Sequence, residues 1–204
     1  TRLSEDPNRS VLLLEAGPDF PDPAELPDEI KFAYVLDRNI WARAFGRESS
    51  YGWGYTARAT DDAPAIFIPR GKITGGSTAV NAQIFLRGEA ADYNGWGVPG
   101  WSYSDLLPYF CKNETDPDFE AAFHGSDGPI RIRRFPPEAW MPEQQAFFTA
   151  CRAADFPACA DHNAPGSTGV GALPLNNPGG IRQSTAMCYL SQARTRPNLV
   201  IQAD

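Results

Sequence analysis

The chain has 204 residues, of which 42% are hydrophobic and 12% aromatic, so it is long enough for a globular core and is not disordered by composition. Its net charge of −7 argues against a nucleic-acid-binding protein, and no apolar run is long enough to cross a membrane. We therefore expect a small-molecule partner. The lack of a leader at residue 1 favours a cytoplasmic location, and a leader further upstream stays open.

Residues 11–17 predict a strand that ends at an acidic residue. The apolar run Val11-Leu12-Leu13-Leu14 is typical of a parallel strand buried on both faces. Glu15 follows at its carboxyl end, where dinucleotide-binding βαβ units place the acidic residue that bonds the ribose, about 20 residues after a glycine turn. That turn and its strand would lie before residue 1, and residues 1–6 would end the intervening helix. A Glu that merely ends an exposed turn is the alternative.

The segment Gly75-Gly76-Ser77-Thr78 indicates a phosphate-bearing cofactor. Paired glycines let the main chain approach a bulky anion, and the two hydroxyl residues are suited to cap a short helix whose N–H groups attract phosphate. A strand is predicted before it at 66–68 and a brief helix after it at 79–83. Taken alone, the segment is more often an ordinary capped turn.

Further elements are predicted downstream. Ser102-Tyr103-Ser104-Asp105 is a capping pattern that begins a helix with Pro108 near its first turn. The alternation of apolar and basic residues in 128–133 predicts a strand with one wet face, which would enter an antiparallel sheet. Pro142 opens a helix with one apolar face, and a helix at 184–193 and a strand at 198–201 follow.

The cysteines and histidines predict neither a metal centre nor a disulfide framework. The four cysteines are widely spaced and are expected to be free, mostly buried thiols: Cys111, Cys151, Cys159 and Cys188. His124 is interpreted as a turn residue that bonds local backbone, and His162 lies in an Asp-His-Asn loop. Neither has a ligand partner at a useful spacing in the sequence.

Six blocks of the sequence together resemble the glucose-methanol-choline (GMC) family of FAD-dependent oxidoreductases, in its choline dehydrogenase-like branch. They follow the family's order and span nearly the whole chain: residues 11–17, 69–81, 87–93, 100–110, 124–129 and 194–199. The resemblance implies that the chain is an internal fragment of a larger enzyme. Residues 18–64, rich in Pro, Asp and aromatic residues, would then lie over the flavin, partly as a lid.

The resemblance also implies the fold class, α/β (α+β overall). A Rossmann-like FAD-binding domain would be interleaved with an antiparallel-sheet substrate domain, both incomplete in this chain. Residues 1–115 would belong to the FAD-binding domain without its first strand and glycine turn. Residues 116–180 would begin the substrate-binding domain, and residues 181–204 would return to the FAD-binding domain.

The family's cofactor contacts, carried over by resemblance, fall on eight residues. Glu15 would bond the ribose, and Gly75, Gly76 and Ser77 would receive the pyrophosphate. The residues near the flavin and ribityl chain would be Asn81, Ala82, Gln83 and Ile84. Some members attach FAD through a His before this Asn; Val80 stands there, so FAD would be non-covalent. The family's catalytic base is a His in the C-terminal part, so no catalytic residue and no metal ligand is assigned here.

The implied activity is oxidation of the CH–OH group of an alcohol donor by hydride transfer from the carbinol carbon to flavin N5. The electron acceptor would be oxygen or a quinone-type compound. Two alternatives stay open at this point. The enzyme could resemble the family's hydroxynitrile lyases, in which FAD does no redox chemistry, or the isolated chain could be a catalytically incompetent fragment that holds no FAD.

Overall fold

A computed structural model describes residues 1–32, 43–44, 46–119 and 122–204. In chain order, the strands are β1 (Val11–Leu14), β2 (Thr56–Ala57), β3 (Ile66–Phe67), β4 (Glu114–Thr115), β5 (Ile130–Arg131) and β6 (Leu199–Gln202). The α-helices are α1 (Asp28–Lys31), α2 (Ala90–Gly95), α3 (Tyr103–Asn113) and α4 (Pro142–Ala153). Short 3₁₀ turns and one π-helical turn, Ala186–Leu190, complete the described secondary structure. These elements confirm the predicted mixed α/β class. Part of the segment predicted to act as a lid, residues 33–42 and 45, lies outside the described residues.

Two compact units make up the chain: Thr1–Gln83 with Gly179–Asp204, and Ile84–Pro178. The sequence predicts that the chain returns to the first domain at residue 181. In the structure it returns to the first unit at Gly179, two residues earlier. The other predicted boundary, at 115/116, lies inside the second unit. Compact units and functional domains need not coincide, so the assignment of 1–115 and 116–180 to cofactor and substrate domains stays a prediction.

In the first unit, β1 and β6 form a parallel pair with Val11 opposite Leu199 and Leu14 opposite Gln202. The parallel pairing of the two ends of the chain confirms both predicted strands. A parallel pair needs a long connection, and here most of the chain lies between its two strands. Glu15 directly follows the carboxyl end of β1. Because the two strands are parallel, this end lies at the same edge of the pair as the carboxyl end of β6.

The prediction that β1 is buried on both faces is wrong. Val11 and Leu13 pack on the cluster formed around Leu190, whereas Leu12 is 57% and Leu14 is 70% exposed. Because side chains alternate along a strand, a covering layer on one side buries only every second residue. The continuous apolar run thus has a packed face and an exposed apolar face among the described residues.

A second apolar cluster of this unit lies under the glycine-rich segment. Its buried members are Ile30, Ala44, Ile73, Ala79 and Val80. The short antiparallel pair β2–β3 leads into the segment, and the strand predicted at 66–68 forms over Ile66–Phe67. The cluster anchors both sides of residues 75–78 to the core, so the residues between them are held on a rigid base.

In the second unit, the capping pattern at the start of α3 is confirmed. Ser102 Oγ accepts from the Asp105 main-chain N–H at 3.2 Å, and Asp105 Oδ2 accepts from the Ser102 N–H at 3.1 Å. The helix continues past Pro108 to Asn113. α4 begins at Pro142 as predicted, but most of its predicted apolar face is exposed: Phe147 is 67% exposed, and Cys151 is partly buried.

The strand predicted at 128–133 forms only at Ile130–Arg131, where β5 pairs in parallel with β4. Antiparallel contacts in this unit are isolated bridges, among them Arg133 with Leu175. All four cysteines are free thiols, as predicted, with Cys159 and Cys188 buried. In the part of the chain that the structure describes, no helix combines the length and apolar character that a membrane crossing requires.

Candidate cofactor site

The end of β1 packs directly against the chain that leads into the glycine pair. A Cβ added to Gly17 would lie 2.0 Å from the Lys72 carbonyl oxygen, so only glycine fits there. The Thr74 N–H donates to the Pro18 carbonyl at 3.0 Å. Glu15 Oε1 accepts from the Gly17 N–H at 2.9 Å, and its Oε2 has no hydrogen-bond partner among the described residues. The strand end that carries Glu15 is therefore fixed to the residues just before Gly75.

The two glycines of the pair have different surroundings. Both have left-handed main-chain angles, with φ 98° at Gly75 and 56° at Gly76. A Cβ on Gly75 would lie 3.2 Å from the Ala186 Cβ, whereas a Cβ on Gly76 would meet no atom of the described residues within 4 Å. Gly75 therefore packs against the protein. The Cα of Gly76 faces open space, while its N–H donates to the Ile73 carbonyl at 2.7 Å. Such a cradle fits a bulky anionic group that comes close to the backbone.

The predicted capping role of the two hydroxyl residues is wrong. Gly75 is the N-cap of the 3₁₀ turn Gly76–Ala79, and no side chain caps it. Ser77 Oγ instead accepts from the Gly71 N–H at 3.2 Å, and Thr78 Oγ1 donates to the Gly75 carbonyl at 2.6 Å. Left-handed glycine at the N-cap turns the chain so that both hydroxyls point back into the loop. They brace the turn and do not bind its N–H groups.

The helix predicted at 79–83 is also displaced: the helical turn ends at Ala79. Asn81 and Ala82 are exposed and Gln83 is buried, with an unusual positive φ of 62°. Asn81 Oδ1 accepts from the Gln83 N–H at 3.0 Å, a local bond that competes with a helix and supports the strained conformation. Ile84 belongs to the second unit, where it forms a bridge with Leu175 and is 48% exposed.

Val80 points into the protein. It is 6% exposed and belongs to the apolar cluster with Ile30 and Ile73. The side chain before Asn81 is thus part of the core.

Arg182 contacts this loop and was missed by sequence reasoning. The side chain is fully buried, and its Nη1 donates to the carbonyl oxygens of Thr78 and Asn81 at 3.2 and 2.8 Å. Nη1 also donates to Asn81 Oδ1 at 2.8 Å, and Nε donates to the Ile30 carbonyl at 2.9 Å. Its partners lie about 100 or more residues away in the chain, so no local pattern marks the residue.

Thr185, also missed, joins the same segment to the loop. Its N–H donates to Thr78 Oγ1 at 3.0 Å, and its hydroxyl donates to the Gly75 carbonyl at 3.3 Å. The stretch from Arg182 to Ala186 thus lies along the inner side of the glycine-rich turn.

His124 is the clearest departure from prediction outside this site. Its side chain is 1% exposed, and Nδ1 lies 2.9 Å from Glu114 Oε1 and 3.2 Å from Asp116 Oδ2. Nε2 lies 2.8 Å from Asp161 Oδ2. The prediction that His124 bonds local backbone is wrong, because both ring nitrogens bind carboxylates brought by other segments.

Two glycines explain how His124 reaches this position. A Cβ on Gly125 would lie 1.8 Å from the Cys111 carbonyl oxygen, and one on Gly128 would lie 2.3 Å from the Glu114 nitrogen. The turn after His124 can therefore lie directly against the end of α3 and the start of β4. That close approach places the ring beside Glu114.

The carboxylates around His124 also bind two arginines. Arg87 Nη2 lies 2.6 Å from Glu114 Oε1, and Arg134 Nη1 lies 2.9 Å from Asp116 Oδ1. Arg134 Nη2 lies 3.4 Å from Asp161 Oδ1. Burial raises the pKa of Asp161, but the hydrogen bond from His124 and the charge of Arg134 lower it, and the net pKa lies below its ordinary range.

This cluster corrects the expectation that His124 has no ligand partner nearby. Donor atoms of Glu114, Asp116 and His124 lie within 4.8 Å of one another, as the ligands of a metal do. However, Arg87 and Arg134 already pair with the two carboxylates. We interpret the cluster as a buried ion network that joins α3, β4 and the following turns.

An acidic residue at the end of a parallel strand and a left-handed glycine turn beside it are features that nucleotide-cofactor-binding domains use. Comparison with known proteins agrees. The profile of the GMC oxidoreductase family matches residues 40–204. An uncharacterised GMC-type oxidoreductase of Rhodococcus erythropolis is 43% identical over 99% of this chain and 39% of its own length. Mouse mitochondrial choline dehydrogenase is 36% identical over 98% of this chain and 33% of its length.

Solved structures give the same result. Pyridoxine 4-oxidase from Mesorbium loti superposes with a TM-score of 0.84 and 32% identity, over 99% of this chain and 38% of that one. An FAD-dependent oxidoreductase from Chaetomium thermophilum has a TM-score of 0.80 and 26% identity, over 98% and 35%. The chain belongs to the GMC oxidoreductase family, whose N-terminal domain binds FAD. It spans between 33% and 39% of the length of these relatives.

Proposed function

We propose that this chain holds FAD in an oxidoreductase that acts on the CH–OH group of an alcohol. The observation that carries the proposal is the open main chain at Gly76, fixed beside the strand end that bears Glu15. Membership of the GMC family supports the cofactor and the reaction class. Two relatives named for choline and for pyridoxine, both alcohols, support an alcohol as donor.

In this proposal each part of the site has one task. Glu15 Oε2 accepts from a ribose hydroxyl, and the turn Gly75–Ser77 gives the pyrophosphate room at the main chain. Exposed Asn81 and Ala82, with the neighbouring Gln83 and Ile84, lie near the flavin and ribityl chain. FAD supplies a hydride acceptor at N5 for the hydrogen on the carbinol carbon.

Removal of the hydroxyl proton needs a base, which we do not assign to this chain. His124 is unsuited to that task, because its two ring nitrogens bind Glu114 and Asp161 inside the second unit. The electron acceptor in the proposal is oxygen or a quinone-type compound. The chain contributes cofactor binding, and the proton-transfer group belongs to another part of the enzyme.

Anaerobic addition of an alcohol to the full-length enzyme tests the function. Choline and pyridoxine are suitable first probes, and simple primary alcohols extend the series. We expect the visible flavin absorption to disappear in the absence of oxygen and to return when an acceptor is added. A lyase that only holds FAD would keep the oxidised spectrum with every alcohol, and that result would reject the oxidoreductase proposal.

We also propose that FAD is bound without a covalent bond. Val80 has no nucleophilic atom and is buried in the apolar cluster, so it offers neither the chemistry nor the position for a linkage. Denaturing the full-length enzyme with acid or detergent should release all the flavin into the filtrate. Flavin that stays on the polypeptide after denaturation would show the proposal to be wrong.

A further inference from the structure

Arg182 is a buried cation whose described hydrogen bonds all end on neutral oxygen atoms. Its partners are the main-chain carbonyls of Ile30, Thr78 and Asn81 and the Asn81 amide oxygen. Burial lowers the pKa of the guanidinium to about 10, which leaves it charged at neutral pH. Among the described residues no carboxylate pairs with it, and its Nη2 has no hydrogen-bond partner there.

Burying such a charge is unfavourable unless it does something that an apolar side chain cannot. Moving an ion from water into a protein interior carries a large desolvation cost, which a well-packed Met at this position would not have. A guanidinium, however, offers five N–H donors in one rigid plane, which can bind several carbonyls at once. Here that plane ties the end of α1 to two points of the loop that follows the glycine pair.

We infer that Arg182 is a positioning residue of the cofactor site, which fixes the main chain from Thr78 to Asn81 and the side chain of Asn81 for contact with FAD. The inference rests on the proposed function. Asn81 Oδ1 receives two bonds, from Arg182 Nη1 at 2.8 Å and from the Gln83 N–H at 3.0 Å. Together they fix the orientation of the Asn81 amide, so that its NH₂ group points away from Arg182 and has no acceptor among the residues that the structure describes.

The charge of Arg182 adds a second effect at the same place. Thr78, whose carbonyl it binds, lies in the 3₁₀ turn Gly76–Ala79, directly after residues 75–77 that are proposed to receive the pyrophosphate. A cation that no described carboxylate neutralises makes the potential of this loop more positive. An anionic cofactor is therefore favoured over a neutral one, although Arg182 itself is buried behind the loop.

Hydrogen exchange of the apoprotein tests the positioning role without any cofactor. In the full-length protein, Arg182→Met should increase exchange in a peptide covering 76–83 by at least about tenfold, with β1 and β6 unchanged. The matched control is Arg196→Met, because Arg196 also donates to a carbonyl and a hydroxyl of the first unit, those of Thr1 and Ser4. Unchanged exchange at 76–83 in Arg182→Met would overturn the inference.

FAD titration of the same variants tests the consequence for the cofactor. Arg182→Met should weaken FAD binding by at least about tenfold and alter the visible circular dichroism of the bound flavin, whereas Arg196→Met should change neither. Arg182→Lys keeps the charge and should recover part of the affinity and of the spectrum. Equal losses of FAD affinity in Arg182→Met and Arg196→Met would show that Arg182 only stabilises the fold, and that result would overturn the inference.

A double-mutant cycle covers the case in which Arg182→Met does not fold. Arg182→Lys and Asn81→Ala, alone and combined, should show non-additive effects on FAD affinity, since both remove the same bond; additive effects would contradict the inference. If the wild-type enzyme binds no FAD, the proposed function fails. The exchange experiment still decides whether Arg182 fixes the loop.

Discussion

Replacing Glu114 by Ala is expected to lower the free energy of unfolding by about 3–5 kcal/mol, because it leaves the buried guanidinium of Arg87 without its carboxylate partner. Glu114 is 0% exposed and binds both Arg87 at 2.6 Å and His124 at 2.9 Å. The Arg87 side chain is 5% exposed, so solvent has little access to replace the lost carboxylate. Urea unfolding of the full-length apoprotein measures the effect.

Glu5→Ala is the matched control for this prediction. Glu5 pairs with Arg2 at a similar distance, 2.8 Å, but the two side chains are 48% and 54% exposed. Water replaces the lost partner there, so we expect a change of about 0.5 kcal/mol or less. If Glu114→Ala proved as mild as Glu5→Ala, the buried ion network would not be what holds α3, β4 and the turn of His124 together.

Two glycine substitutions are expected to separate the fold of the cofactor site from its contact with FAD. In Gly17→Ala, the new Cβ would lie 2.0 Å from the Lys72 carbonyl oxygen, so β1 and the loop must move apart. We expect a loss of about 2–3 kcal/mol of stability together with loss of FAD. In Gly76→Ala, the Cβ enters open space, and the left-handed conformation costs only about 1–2 kcal/mol.

Gly76→Ala should nevertheless weaken FAD binding by at least about tenfold, because its methyl group occupies the space proposed for the pyrophosphate. Gly95→Ala is the control: that glycine also has no atom near its Cβ position, but it lies at the end of α2 in the second unit. It should keep wild-type stability and affinity. Urea unfolding of the three variants measures their stability, and FAD titration measures their affinity. If Gly76→Ala bound FAD as tightly as the wild type, the pyrophosphate would not lie at this turn.

Features that depend on neighbouring residues were predicted well from the sequence. The capping pattern of Ser102 and Asp105, the start of α4 at Pro142 and the strands β1 and β6 all formed where their local patterns indicated. Each rests on chemistry that acts within a few residues, such as a cap, a fixed proline φ or an apolar run. The family resemblance was equally accessible, since it rests on linear blocks, and it is confirmed.

Features that depend on distant residues could not be predicted in the same way. Ser77 and Thr78 are good capping residues, but left-handed Gly75 occupies the N-cap position. The two hydroxyl groups therefore form hydrogen bonds within the loop instead. His124 looked isolated because Glu114 and Asp161 reach it only in the folded chain. The residues of a buried ion network, or the partners of a buried arginine, do not recur at a regular spacing in the sequence. They can be identified only once the tertiary structure is known.

Hydrogen exchange of the full-length enzyme with and without FAD tests the central claim most directly. If Glu15, the turn at Gly75–Gly76 and residues 77–83 hold the cofactor, FAD should slow exchange in peptides covering 13–17 and 75–83. The exposed helix α4 should show no change. Protection confined to other parts of the enzyme, with 75–83 exchanging as fast as in the apoprotein, would contradict the account.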